Sequence, residues 1–493
     1  MELKIKFLNW STGLFGAMLN KKTADSLGIK TVDRISIKTL QKKPKEIFSF
    51  VNTIGNLVKD NQIAVSSETK DVLKLKNGQK VKVSFAPTPK SLVFIKKKMD
   101  GKELSEKEIF GIIKDLVNNA LSEAEIALFI SSMYEVGTTF KETVYLIKAY
   151  LASGEKLILN NKIIVDKHSI GGIPGNRTTP IIVSICASTG LIFPKNSSRA
   201  ITSAAGTSDV IETLAPVSFS SAEIKKIIKK TNACLVWGGS LKMVPADSKM
   251  IFVEKKLGID PKANLLASIM SKKLAVGSNF ILIDIPYGKN AKVNLKEALE
   301  LKRDFENLGR YFKRKIKVVL TKGDHPIGNG IGPVLEMKDV LAVLKNEDSA
   351  PVDLKEKSLL LVAEILEMTG KAKKGRGKIL AKEILLSGRA FEKFKQIIEA
   401  QGGKIRDLPL AKFKKKIIAK KSGIISEINN KKINYLARVA GAPLDKAAGI
   451  YIYRNVSSKI KKGQNLIAIY SESESRLRQT VELYEKIKPI KVK

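Results

Sequence analysis

Hydrophobic and polar positions alternate in one way at the start of the chain and in another after it. Up to about residue 88, short runs such as Leu3-Lys4-Ile5-Lys6-Phe7 and Val81-Lys82-Val83-Ser84-Phe85 repeat every two residues, separated by turn signals such as Lys76-Asn77-Gly78. A period of two predicts strands with one buried face, so residues 1–88 are expected to form a small β-rich module that ends near Pro87 and Pro89. Three evenly spaced capping boxes follow, Ser105-x-x-Glu108, Ser122-x-x-Glu125 and Thr139-x-x-Glu142. Each precedes an apolar pattern of helical period such as Ile109, Ile112, Ile113 and Leu116, which predicts three short helices that serve as scaffold. From Lys162 the pattern changes to apolar strands (KIIVD, ACLVWG from Ala233, FILIDIP from Phe280, KVVLT from Lys317) alternating with helical stretches. That alternation predicts a mostly parallel sheet covered by helices, with ligands at the loops leaving the strand ends. Residues 245–275 are helical again, a helix pair is expected from about Ser349, and the last part reads as strands and turns of an α+β region.

At 493 residues the chain is long enough for a large core and about three domains. No stretch approaches the roughly eighteen apolar residues of a membrane span, and MELKIKFLNW reads as a strand, so the expectation is a soluble cytoplasmic protein. Cys186 and Cys234 lie in apolar sequence as small hydrophobes, and with two histidines in the chain no metal site is expected. The net charge of +40 suggests nucleic acid at first sight. The lysines are spread over every region without interleaved aromatics for base stacking, so they read as solvated faces that also steer anionic substrates.

One stretch departs from this lysine-rich background. Between Asp166 and Asp209 (DKHSIGGIPGNRTTPIIVSICASTGLIFPKNSSRAITSAAGTSD) charge is sparse, while Gly, Ser and Thr are dense. Glycines let a ligand approach the main chain, and hydroxyls with backbone N–H groups make an anion cradle. Two such loops stand here, Lys167–Gly172 and Ser197–Thr207, either side of an apolar run from Pro180 to Phe193 that is long enough for one helix. The first loop would lie near that helix's N-terminus, which favours anions, and each loop holds one cation, Lys167 or Arg199. The spacing fits neither GxxxxGK[ST] nor GxGxxG, which removes support for ATP hydrolysis and nicotinamide binding.

DKHSIGG, followed about thirty residues later by SSRAITSAAGTSDVIE, resembles the signature pair of the thymidine and pyrimidine-nucleoside phosphorylases. From about Pro89 to the C-terminus the chain is similar to their archaeal branch, the AMP phosphorylases. The resemblance implies a multidomain α/β fold of the class II nucleoside phosphorylase type. Its parts would be the N-terminal module 1–88, a helical domain of 89–160 and 245–277, an α/β phosphate-binding domain of 161–244 and 278–348, and a C-terminal α+β region, 349–493. It further implies a pentosyltransferase that cleaves AMP, and also CMP or UMP, with orthophosphate, without a cofactor or metal, as a homo-oligomer extended through the N-terminal module. The site would be a cleft between the helical and α/β domains.

The same resemblance places phosphate on Lys167, Ser169, Thr179, Ser197 and Thr207. It places the nucleotide on Gly172, on Ser198, Arg199, Ala200, Ile201, Thr202 and Ser203, on Thr207 again, and on Ser268 and Lys292. Asp260 matches the proton donor, while His168 reads equally as a sugar contact or a loop-ordering residue. Where thymidine phosphorylases carry an Arg-Asp pair that grips the pyrimidine carbonyls, this chain has Val253-Glu254, and no arginine lies between Arg199 and Arg303. The pyrimidine clamp is absent, which favours a nucleotide substrate over the alternative, a thymidine or pyrimidine-nucleoside phosphorylase. Anthranilate phosphoribosyltransferase shares the fold, yet its Asp-rich magnesium sites are not evident in this chain, and a basic nucleic-acid-binding protein is the non-enzymatic alternative.

Overall fold

In Glu2–Phe7 (ELKIKF) the side chains alternate exposed and buried, as a strand with one face on a core requires. In the computed structural model this strand is one of six that close a barrel. Their order is Glu2–Phe7, Gln62–Val65, Gly16–Asn20, Glu46–Ile54, Arg34–Thr39 and Lys80–Phe85. The structure describes the chain except residues 9, 12–14, 160, 201–202 and 240–242. The barrel core is aliphatic, with Leu3, Ile5, Ile35, Ile37, Val51, Ile63, Val81 and Val83 all buried.

The chain divides into two compact units, Met1–Gly154 with Val244–Ser268, and Glu155–Met243 with Ile269–Lys493. In the first, the barrel is followed by helices Ser91–Met99, Glu106–Val117, Glu123–Glu135 and Phe140–Ala152. All three capping boxes are formed, each hydroxyl accepting from the backbone N–H three residues on while the glutamate accepts from the cap residue's own N–H. Glu142 has a further partner in Lys98, whose buried Nζ lies 2.8 Å from it. Arg34 of the barrel donates to Glu125 at 2.8 Å, fixing barrel to helices. Helix Pro245–Leu257 starts on a proline and stops at the left-handed Gly258. A short turn then leads into helix Lys262–Ala275, inside which the unit boundary falls.

The second unit is built on parallel strands. Phe280–Tyr287 pairs with Lys315–Lys322 on one side and Val165–Ser169 on the other, and Phe193–Ser197 pairs with Ala233–Trp237. A parallel bridge from Ile164 to Ile192 stitches the two groups together. Helix Thr178–Ser188 is buried on nearly every side in the largest core, beneath helices Pro333–Leu344, Val352–Met368 and Arg389–Ala400. Three helices, not a pair, follow Ser349, because the glycines at 370, 375 and 388 adopt positive φ and interrupt the helical run twice. The C-terminal part is an α+β assembly. Its antiparallel strands Gly449–Ile452, Asn465–Ser471 and Phe413–Ile418, with the short Gly330–Ile331, share a core with helices Asn430–Val439 and Glu474–Ile487. No helix among the described residues is long and apolar enough to cross a membrane.

Candidate active site

Lys167, His168 and Ser169 lie on the strand Val165–Ser169 and not in a loop, so the turn begins after them. The apolar run KIIV announces the strand, and three polar residues continue it because its neighbour Phe280–Tyr287 extends as far as Ser169. Gly171 and Gly172 then take positive φ. A Cβ on Gly172 would stand 3.0 Å from the Lys292 Cβ, so the main chain passes close to Lys292 and two of the expected nucleotide residues are neighbours. Helix Thr178–Ser188 follows; the apolar run expected to be helical to Phe193 stops at Ser188, beyond which Gly190 turns left-handed and Phe193 starts the next strand. Its N-cap residue, Arg177, makes no side-chain cap of its own. Its first residue, Thr178, accepts a hydrogen bond from Lys167 Nζ at 2.9 Å, and Thr179 beside it is buried.

The second loop leaves the strand Phe193–Ser197 and enters the short helix Thr207–Ile211. It folds tightly back on itself: a Cβ on Gly206 would meet backbone atoms of Ser198, Arg199 and Ala200 at 2.6 Å. Asp209 holds both ends, accepting from Ala200 N at 2.6 Å and Gly206 N at 2.8 Å. Arg199 is engaged by carboxylates, with two nitrogens on Glu212 at 2.6 and 2.7 Å and one on Asp209 at 3.3 Å. The Arg199 guanidinium in turn pulls the Glu212 carboxyl down to about 2, so an anion at this loop competes with two carboxylates for Arg199. Ser198 is exposed, and Ser203 donates to Ala205 O at 3.1 Å. Ile201 and Thr202 lie outside the described residues.

Arg177, which sequence reasoning missed, joins the two loops. It sits at the head of the helix Thr178–Ser188 and donates through Nη1 to Thr207 Oγ1 at 2.7 Å, through Nη2 to Ala205 O at 2.8 Å and through Nε to buried Glu336 at 2.7 Å. Lys167 and Thr207 are therefore each bonded to one of two consecutive residues, Thr178 and Arg177. Two serine hydroxyls at this place, Ser169 Oγ and Ser197 Oγ, are buried without a hydrogen-bond partner among the described residues. Unpartnered buried hydroxyls are costly, and two at the ends of adjoining strands indicate a place where a ligand supplies the partner.

Beneath the first loop lies a buried charge cluster. Lys273 Nζ is 2.7 Å and Lys195 Nζ 3.3 Å from Asp166, and Lys195 also donates to Lys167 O at 2.9 Å. Lys357 Nζ is 3.1 Å and Lys167 Nζ 3.9 Å from Asp284, which also accepts from Thr321 at 2.7 Å. Burial pushes the Lys167 amine down to about 7, with Lys357, Lys195 and Arg177 adding to the effect and Asp284 opposing it. Lys273 is lowered as well, by burial first. Partly buried His168 is held well below the usual imidazole range by desolvation and then by Lys273, Lys195, Lys272 and Lys167, which leaves a neutral ring able to donate or accept. Sequence reasoning missed this cluster, although an aspartate inside the apolar run FILIDIP is a signal that could have found it.

The other expected site residues, Asp260 and Ser268, belong to the first unit. Asp260 is exposed on the turn between helices Pro245–Leu257 and Lys262–Ala275, and Ser268 is buried in the second of these. At the position of the pyrimidine clamp, Val253 and Glu254 are both buried. Glu254 accepts from Asn264 Nδ2 at 2.6 Å, and Asn264 in turn accepts from the Tyr150 hydroxyl. Glu254 is thus a brace across the turn that carries Asp260, not a group presented to a base. Among the described residues no three His, Cys, Asp or Glu side chains are grouped to hold a metal ion.

Three family models match the chain. They are a glycosyl transferase family helical bundle domain over residues 93–154, a glycosyl transferase family a/b domain over 161–391, and a pyrimidine nucleoside phosphorylase C-terminal domain over 424–491. An AMP phosphorylase of Pyrococcus furiosus is 43% identical over 100% of this chain and 98% of its own length. One from Methanocaldococcus jannaschii is 42% identical over 96% of this chain and 94% of its own. Among solved structures, anthranilate phosphoribosyltransferase from Thermus thermophilus has the same fold at a TM-score of 0.51 and 18% identity, covering 63% of this chain and 99% of that one.

Proposed function

The chain belongs to the AMP phosphorylase family, and from that premise we propose that it cleaves AMP with orthophosphate to give adenine and ribose 1,5-bisphosphate. One observation carries the reading: Lys167 bonded to Thr178, and Arg177 bonded to Thr207, bring two anion-suited loops to the head of one helix. An enzyme that attacks a nucleotide with phosphate has two oxyanions to hold at once. Two adjoining cradles with spare hydroxyls suit that task better than they suit an uncharged nucleoside.

In this reading orthophosphate rests on Lys167, Ser169, Thr179 and Ser197. The nucleotide rests on Gly172, the Ser198–Ser203 loop, Ser268 and Lys292, and Thr207 stands between the two. Phosphate oxygen attacks C1′ as the bond from C1′ to the base nitrogen breaks, and the anion beside the sugar offsets the positive charge that develops on the ring. The departing purine takes a proton from Asp260. Arg177 is a positioning residue that holds Thr207 where both anions need it. CMP and UMP are further substrates in this reading. It calls for no cofactor, and it has the protein working in the cytoplasm as a homo-oligomer with the barrel as additional contact surface.

The test is to incubate the protein with AMP or with thymidine, each with and without phosphate. Phosphate-dependent release of adenine is expected. Release of thymine from thymidine with AMP left intact would overturn the reading in favour of a pyrimidine-nucleoside phosphorylase.

A further inference from the structure

The side chains buried beneath the first loop carry more positive than negative charge. Lys167, Lys195, Lys273 and Lys357 bring four ammonium groups that are at most 8% exposed, while Asp166 and Asp284, fully buried, bring two carboxylates. The formal surplus is two positive charges, the complement of a phosphate dianion. The groups facing this cluster do not remove it. Arg177, at the head of the neighbouring helix, is paired with Glu336, and His168 is held neutral by the same lysines, with Lys272 adding to them. A surplus of that size in a buried place has two outlets, which are loss of protons from the lysines or arrival of an anion. The depressed Lys167 and Lys273 amines show the first outlet in use. The second lies within reach, because Lys167 Nζ touches Thr178 on that helix and Ser169, two residues further along the same strand, has an unpartnered buried hydroxyl.

We propose that Lys195, Lys273 and Lys357 act with Lys167 as a charge reservoir for the attacking anion, so that orthophosphate enters this site together with protons taken up by Lys167 and Lys273. The inference rests on the reading that the first loop holds orthophosphate. Lys195, Lys273 and Lys357 are positioning residues here; they set the charge beneath the site and need not touch the anion. Two consequences follow from linkage. Phosphate affinity falls as pH rises above about 7, by up to about tenfold per pH unit for each proton taken up, because the protons come from an ever more dilute source. AMP binding measured without orthophosphate shows less of that dependence, because most of its proposed contacts lie on the second loop.

Calorimetric titration of the full-length protein with inorganic phosphate at about pH 8.5, where free phosphate is almost entirely dianion, reads the uptake directly. Heats are compared between two buffers of small and large ionisation enthalpy, with AMP phosphorolysis measured on the same preparation. The expected result is uptake of between about one and two protons per phosphate bound. Lys273→Arg, whose charge is fixed because a guanidinium does not titrate in this range, should take up about one proton fewer while still binding phosphate. Lys357→Met should raise the phosphate KM at least tenfold with a much smaller change in kcat. Equal heats in the two buffers, with phosphorolysis intact, overturn the reservoir and leave the enzyme assignment standing. Absence of both phosphate binding and AMP phosphorolysis overturns the two together.

Discussion

Replacing Arg177 with methionine keeps most of the side chain's bulk and removes a group that holds both loops at once. Its three hydrogen bonds, of 2.7, 2.7 and 2.8 Å, go to Glu336, Thr207 and Ala205. Glu336 is only 2% exposed, so the variant leaves a buried carboxylate without its cation. Breaking a buried pair from one side costs about 3–5 kcal/mol, and this part appears as stability. Part of it is relieved as pH falls, because burial already raises the Glu336 carboxyl and Arg177, together with the Gly332 N–H, opposes that rise. The bonds to Thr207 and Ala205 are charge-assisted and worth about 1.5–3 kcal/mol each when intact. Water replaces much of that in the variant, so about 3 kcal/mol in total remains for catalysis, or ~10²-fold in kcat/KM. Initial rates over AMP and phosphate concentrations, with thermal melts of the same samples, separate the two effects. Removing the orphaned carboxylate as well, in Arg177→Met with Glu336→Leu, should restore most of the melting temperature and little of the activity. A single variant with wild-type kcat/KM would refute the claim that this bridge sets the site.

Three further outcomes are expected. Asp260→Asn should lower turnover by about two or more orders of magnitude, the usual scale for a general acid, with little change in melting temperature because Asp260 is exposed; normal turnover would remove it from its role. Burial raises the Asp339 carboxyl to about 7, with Glu336 and Asp353 adding and the N–H groups of Gly330 and Asn329 opposing. The folded protein therefore keeps a proton that the unfolded chain loses above about pH 4, and this group's contribution to stability declines as pH rises from there to about 7. Asp339→Asn should flatten that slope and melt higher than the wild type at pH 8, which a pH series of thermal melts checks. Lys98→Met strands buried Glu142 and should destabilise the helical unit by about 3–5 kcal/mol, read by denaturant unfolding; a change under about 1 kcal/mol would show that the capping-box bonds alone suffice for Glu142.

Much of the fold was legible where its cause is local. The capping boxes at Ser105, Ser122 and Thr139 are three-residue devices, and each starts the helix its sequence announces. The barrel strands show their period of two, and the Gly, Ser and Thr density between Asp166 and Asp209 marks the loops that the structure joins. The joining itself was hidden, because Arg177 and Glu336 are 159 positions apart and a pairing over that distance leaves no pattern in the sequence. Lys195, Lys273 and Lys357 were masked by composition: among 88 lysines and arginines, three buried ones look like the solvated rest. Lys167 to Ser169 read as loop because polar residues at a strand's end look the same as those of a turn.

In the proposed reaction one site holds the nucleotide's own phosphate and a second, attacking phosphate together. This is tested most directly by following AMP and orthophosphate over the protein by 31P NMR. The expected result is that both starting signals decline in step while one product appears with two phosphate resonances, that of ribose 1,5-bisphosphate. A product with a single phosphate, or an orthophosphate signal that never declines, would contradict it.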